Sequence, residues 1–391
     1  MNNPVGPVTA ADEMFCHQVT ETFATVGSSD LAWTEKVCAM AAARDGSLQL
    51  GFGLGKYNNR NVMDAYAGVS RGLEQITVRA SRQLAPDLNT TVIGPIHYEV
   101  LEPLRRVRFR LEPNDVQPIA FDWTFDSVVP CQTEERTLQR TQDGRRISAE
   151  LVRYHQTGVA SGWIEIDGKR TEMSNDTWVS TRDHSWGVRY DVGQTPTDLE
   201  PALNPVDIDG VSFSMIWCPM LFERSDGSRY AMFMHAIIVE GFGSVLHKTV
   251  TGGVEHADGS VEPFLDLQLD LDFHPVTRRL QGGTVHARMV DGSERPVTFR
   301  VPTDTGFHLG AGLYFGWKGH HHGEWRGVLH TEGERIADCT AAEVFQDLHQ
   351  IRDTFVLVED PVGGGSGYGN CQPVITGAHP SRGLSTDSSF W

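Results

Sequence analysis

Leu265-Asp266-Leu267-Gln268-Leu269-Asp270-Leu271-Asp272-Phe273 changes between apolar and polar at every step, and this two-residue period decides the fold class. Successive side chains of a strand point to opposite faces, so such a run sets a leucine row against a core and a row of acids in water. The same beat recurs where Val107, Phe109 and Leu111 alternate with Arg106, Arg108 and Arg110. It returns where Ile119, Phe121, Trp123 and Phe125 alternate with Ala120, Asp122 and Thr124. Between such runs lie Asp-Gly pairs at 45–46, 143–144, 167–168, 209–210, 226–227, 258–259 and 291–292. That dipeptide tolerates the positive φ of tight hairpins. Helical signals are few. Thr340 to Ile351 has capping-box spacing at Thr340 and Glu343 with an apolar stripe of Val344, Phe345, Leu348 and Ile351. A shorter amphipathic stretch runs from Ala11 to Phe23. Neither supplies the strand–helix alternation of a parallel sheet, so the chain reads as all-β and antiparallel.

The 391 residues suffice for two domains without covalent staples. Pro196, Pro201 and Pro205 punctuate an aperiodic segment from Gln194 to Pro205. The expected division is therefore 1–195 and 196–376, each a closed or nearly closed barrel of about eight strands, with a loosely ordered Ser-, Gly- and Pro-rich tail over 377–391. Phe390 and Trp391 could dock. The formal charge of −18, from 33 Lys and Arg against 51 Asp and Glu, disfavours nucleic acid and anionic membranes. No run approaches the ~18–20 apolar residues of a membrane helix. Met1 to Ala10 lacks the features of a signal peptide, and the six scattered cysteines form no CxxC pair. These features read as a reduced, cytoplasmic protein and leave the oligomeric state open.

Two motifs invite cofactor readings. Gly51-Phe52-Gly53-Leu54-Gly55-Lys56 resembles a nucleotide loop, but Tyr57 replaces the Ser or Thr of a phosphate loop and no helix pattern follows. Glycines at a close approach of a strand explain it better. His320-His321-His322 offers at most two ligands to one site from a strand, with His330 or Glu324 as a third. Its alternative is a surface or pocket-lining histidine cluster, and the expectation is no cofactor. The densest chemistry runs from Trp178 through Arg182, Asp183, His184, Ser185, Trp186 and Arg189 to Tyr190. In an extended segment Arg182, His184 and Trp186 share one face, and Asp183, Ser185 and Gly187 the other. The segment is either a buried ion pair locking two barrels together or a site whose acid has a shifted pKa.

Arg182-Asp183-His184-Ser185-Trp186-Gly187-Val188-Arg189 resembles the "RDHSWG-R" signature of the carotenoid 1,2-hydratase (hydroxyneurosporene synthase) and AttH-like superfamily. Tyr98 to Arg106 is similar to its "YEVLEPLRRWR" strand, Gly323-Glu324 through Glu332-Gly333-Glu334-Arg335 to its "GE…EGER" stretch, and Gly367-Tyr368-Gly369 to its closing "GYG". The matches run from about residue 45 to 370. The resemblance implies two lipocalin-like (calycin) β-barrels packed together, and chemistry on hydrophobic small molecules such as hydration or cyclisation. It departs at Asn370-Cys371-Gln372, where "GYGxxE" would put an acid.

The expected function is thus a cofactor-independent lyase, hydratase or cyclase acting on an isoprenoid, steroid-like or aromatic compound. Such chemistry needs an acid, π-faces for the developing cation and a base or held water. Asp183 is the expected acid and His184 its partner, unless Asp183 only orients an imidazole that carries the proton. Arg182 and Arg189 would set the charge state, with Trp186 and Trp178 as π-faces. Tyr190, His320, His322 and Glu324 are second candidates for substrate contact. A non-catalytic lipocalin-like carrier is the alternative, and metal-assisted hydrolysis at His320 and His322 a third reading.

Overall fold

The computed structural model describes residues 9–15, 17, 25–141, 144–194, 196, 198, 210–348, 351–386 and 389. It is antiparallel β throughout, and the only helical elements among these residues are short 3-10 turns. In hydrogen-bonded order the first sheet runs Leu329–Ile336, Glu74–Gln83, Val62–Arg71, Gln49–Tyr57, Trp33–Ala43, Trp178–Val188, Ile147–Ile166, Ile119–Ser127, Arg106–Leu111, Ile96–Glu102 and Val92–Ile93. It curls until Arg82 Nε donates to the Val92 carbonyl at 2.8 Å, so the barrel is nearly closed. Its first member, Leu329–Ile336, comes from the C-terminal half of the chain and pairs along its whole length with Glu74–Gln83. In the second sheet Val211–Arg224, Arg229–Gly241, Ser244–Glu255, Val261–Phe273, Leu280–Met289 and Glu294–Arg300 follow one another. Arg352–Asp360 then pairs with Glu294–Arg300, and Gly365–Thr376 lies between Arg352–Asp360 and Val211–Arg224, closing a ring.

Both interiors are apolar. Phe52, Phe109, Phe121, Trp123 and Phe125 fill the first barrel, with Phe109 stacked 4.3 Å from Trp123. Met232, Leu267, Leu271, Val285 and Phe299 fill the second. The alternation read from Val107 to Leu111 and from Ile119 to Phe125 holds, all its apolar members being buried. In Leu265–Phe273 it fails at one residue. The pairing slips between Phe264 and Asp266, so Leu265 is the extra residue of a bulge and is 53% exposed, while Phe264 takes the inward place.

The helix expected over 340–351 does not form in its described part, which turns without a continuous ladder up to Leu348. Asp338 is the reason, since its carboxylate accepts from the Thr340 amide (2.8 Å) and hydroxyl (2.6 Å) and removes the cap. His349 and Gln350 lie outside the described residues. Of the Ala11–Phe23 stretch, Ala10–Glu13 is a 3-10 turn, and 16 and 18–23 lie outside. Most of Gln194–Pro205 also does. The tail is packed, not loose, as far as it is described: Leu384 joins the second core and Arg382 donates to the Leu269 carbonyl at 3.0 Å. Phe390 and Trp391 are not among the described residues.

The outer face of the first barrel packs on the second. Met40, Ala42 and Val179 meet Leu221 and Phe355, while Cys38 and Tyr66 meet Phe307 and Val374. Trp33–Ala43 is therefore buried on both faces. The Gly51–Lys56 motif lies within the strand Gln49–Tyr57, as the close-approach reading requires. A Cβ at Gly51 would stand 2.6 Å from the Phe307 ring, so the missing side chain seats the neighbouring barrel's aromatic.

Candidate active site

Arg182, His184 and Trp186 turn into the first barrel, and strand register decides their company. Val37, Ala39 and Glu35 pair with His184, Arg182 and Trp186 on one side, and Tyr154 and Gln156 with His184 and Arg182 on the other. Into this end of the barrel the turn Ala10–Glu13 inserts the fully buried Glu13. Its carboxylate accepts both Arg182 Nη groups (2.8 and 2.6 Å), the Tyr98 and Tyr154 hydroxyls (2.8 and 2.9 Å) and the Leu104 amide (2.8 Å). Gln156 accepts from Arg182 Nε at 3.0 Å. Burial alone would raise the Glu13 pKa, but Arg182 and His184 outweigh it and hold the carboxyl far below its usual range.

Next to that pair His184 is enclosed between carboxylates. Burial favours the neutral ring, yet the Glu13 and Glu35 carboxylates raise its pKa. The imidazolium donates from Nε2 to Glu35 at 2.9 Å and from Nδ1 to the Tyr154 hydroxyl at 3.1 Å. The same Glu35 oxygen accepts His17 Nδ1 at 2.6 Å, and His17 Nε2 meets Asp12 at 3.1 Å. His17 lies flat on Trp186, with ring centroids 3.4 Å apart. A cavity of about 410 Å³ opens there, lined by His17, Trp33, Trp186, Leu151, Val188 and Arg136 among others. That volume is in the range of small-molecule sites. His17, Glu35 and His184 also place ligand atoms within 4.8 Å of one another. With Asp12 and Tyr154 on the far ring nitrogens, the set could hold a transition-metal ion.

Asp183 is not the partner of His184. It faces the opposite way, into the layer between the barrels, where Arg153 lies 3.3 Å away. Burial raises its pKa, with Arg153 and Arg189 acting against the rise. Arg189 donates to Ser185 at 2.6 Å. Trp178 is buried in the first core, far down the strand from the cavity, and Tyr190 is 63% exposed beside Phe315. The histidine run is split. His320 pairs with Glu324 at 3.0 Å near the surface, whereas His322 is buried against Lys36 Nζ at 2.7 Å. The two share no site, which removes the metal reading at His320 and His322.

The inter-barrel layer is itself a polar network. Glu134 accepts Trp217 Nε1 at 2.9 Å, and His155 bonds Glu255 at 2.6 Å while stacking on Phe233. Asp353 accepts from Asn370 at 2.8 Å and from Gln372. Gln372 is the position where an acid was expected. Its amide serves a carboxyl that burial pushes up to about 7, and a second acid would face that carboxyl directly.

Reading the sequence missed Glu13, His17, Glu35, Tyr154 and Gln156. Glu35 was accessible in principle, since it precedes Val37, Ala39, Ala41 and Ala43 at the inward beat of one strand. Glu13 and His17 carry no such signal, because a turn and not a strand delivers them.

Two packed antiparallel barrels, one with an ionised cluster and a cavity at its mouth, define a tandem β-barrel protein. The chain belongs to a family of unknown function, DUF8625, which matches residues 8–385. No curated protein matches it. Among solved structures it is similar to a candidate AttH from Nitrosomonas europaea (14% identity, TM-score 0.49, 88% of this chain and 92% of that one). It is also similar to kievitone hydratase from Nectria haematococca (9%, 0.38, 87% and 88%) and to CghA with Sch210972 (11%, 0.44, 88% and 88%). No helix among the described residues is long and apolar enough to cross a membrane.

Proposed function

We propose that the protein is a lyase or cyclase of hydratase type that works by acid–base chemistry on a hydrophobic small molecule held in the mouth of the first barrel. What carries the reading is the chain His184–Glu35–His17, which links a buried imidazolium to an imidazole lining a cavity of about 410 Å³. His17 is the proton donor to an alkene carbon. Trp186 and Trp33 offer π-faces to the cation that develops. In a hydration, water adds to that cation and its surplus proton returns to His17; in a cyclisation, a second double bond adds to the cation and a C–H beside the new cationic centre gives its proton back to His17. Glu35 and His184 hold the imidazole in place and buffer its charge. Arg182 and Glu13 act as positioning residues. Asp183 has no part in this reading, because its carboxylate is on the other side of the strand.

The test begins with mass spectrometry of small molecules that co-purify with the protein. His17→Asn is expected to keep the affinity for that ligand or its alkene analogues and to lose at least about 100-fold in turnover. Trp186→Ala is expected to weaken binding. A ligand bound tightly and never converted by the wild-type protein establishes the carrier. Binding indifferent to Trp186→Ala places the ligand elsewhere and overturns the proposal.

A further inference from the structure

Away from the first-barrel site, the loop after Phe273, the turn at 337–348 and the strand Arg352–Asp360 enclose a void of about 10 Å³. It has room for one small solute. Arg279, Arg352, His308, Thr354 and Cys339 line it. The Nη2 atoms of Arg279 and Arg352 both donate to the Asp304 carbonyl at 2.6 Å, so two guanidiniums converge on one neutral acceptor. Arg352 is 3% exposed, and its seat depends on Gly306, where a Cβ would stand 2.5 Å from the guanidinium carbon.

The donors here outnumber their acceptors. Nε of Arg279, Nε of Arg352 and both ring nitrogens of His308 are buried without a hydrogen-bond partner among the described residues. Such groups in folded proteins are normally satisfied. Gln75 fixes the His308 backbone at both its amide (2.7 Å) and its carbonyl (3.0 Å), which leaves the ring directed by packing alone. The carboxylates nearby answer the charge only in part, and none among the described residues is bonded to Arg352. Asp304 is exposed and 3.4 Å from Arg279, and the exposed Asp338 accepts from Thr340. Burial and then the two arginines hold the His308 pKa well below its usual value, so the ring is neutral and offers one N–H.

We propose that this cavity binds a small inorganic anion of about chloride's size, held by Arg279, Arg352 and His308. The anion supplies the counter-charge that the buried Arg352 lacks and ties the loop, the turn and the second barrel together. It is independent of the acid–base reading of the first barrel.

A ligand of the folded state alone raises the melting temperature by mass action. At constant ionic strength, replacing sodium gluconate by sodium chloride is expected to raise the Tm of the full chain saturably, by a few degrees, with bromide acting alike. Arg279→Gln, at the less buried guanidinium, is expected to abolish that response. Crystals soaked in bromide are expected to show an anomalous peak within hydrogen-bond distance of the two Nε atoms, a readout that needs no variant. Equal Tm in gluconate and chloride, a response unchanged in Arg279→Gln, a response to phosphate alone, or a void without anomalous signal each overturn the proposal.

Discussion

Glu13 and Arg182 form a fully buried ion pair in the first barrel, with side-chain exposures of 0% and 1%. Removing one partner of such a pair strands the other charge, a cost of about 3–5 kcal/mol. Glu13→Gln is therefore expected to lower unfolding stability by about that amount, read as a shift of the urea midpoint. Its outcome also bears on the site, because Glu13 helps hold the His184 imidazolium. A variant as stable as wild type would show that the turn Ala10–Glu13 does not close the barrel. At this scale the sequence disclosed one strand's share of the cluster. The octapeptide from Arg182 to Arg189 stood out by residue type, and period two assigned Arg182, His184 and Trp186 to one face. It did not disclose that Glu13, more than 160 positions away in the chain, answers Arg182, because a residue brought in by a turn leaves no periodic trace.

Strands that serve two cores carry their own signature. Gln49–Tyr57 is buried along its full length, inward through Leu50, Phe52 and Leu54 and outward through Gly51, which admits Phe307, and Gly53 and Gly55, which admit the Tyr66 and Tyr57 rings. Gly51→Ala is expected to cost about 1–3 kcal/mol, since the Phe307 ring is wholly buried and has little room to move. In a double-mutant cycle with Phe307→Leu, the two changes should not add. Additive costs would mean that the glycine serves the strand and not the junction. The Gly-rich run was legible as a close approach, although its neighbour was not, because Phe307 belongs to the other half of the chain. The bulge at Leu265 and the failed cap at Thr340 show a second limit. One inserted residue, or one competing carboxylate at Asp338, reverses a local pattern without altering its composition.

The whole molecule is joined by a buried polar layer, and that layer makes stability depend on pH. Burial lowers the His155 pKa, but Glu255 and Glu134 outweigh it and raise the group from 6.5 to about 9. Its contribution is complete below about pH 6.5 and is lost as pH rises towards 9. Burial likewise raises Asp353, to about 7, so the fold prefers its protonated form and loses stability as pH climbs from about 4 through 7. Glu134, held at about 2 by Arg153 and His155 against its burial, works the other way and is lost only as pH falls below about 4.5. Urea midpoints measured from pH 5 to 9 are expected to fall across that range. Asp353→Asn should flatten the lower part of the slope and gain a few kcal/mol at pH 8. A flat wild-type profile would mean that water reaches the layer and screens it.

What the sequence determined by itself was the all-β class and the inward faces of its regular strands, together with the strand on which the charged cluster sits. Those follow from an alternation that any short segment carries within itself. Only the tertiary structure decided which charges meet. It placed His17 against Trp186 and Glu35, turned Asp183 away from His184, and returned Leu329–Ile336 to the first sheet. Electrostatic partners are chosen by distance in space, and strand register and turn insertion set that distance between residues far apart in the chain.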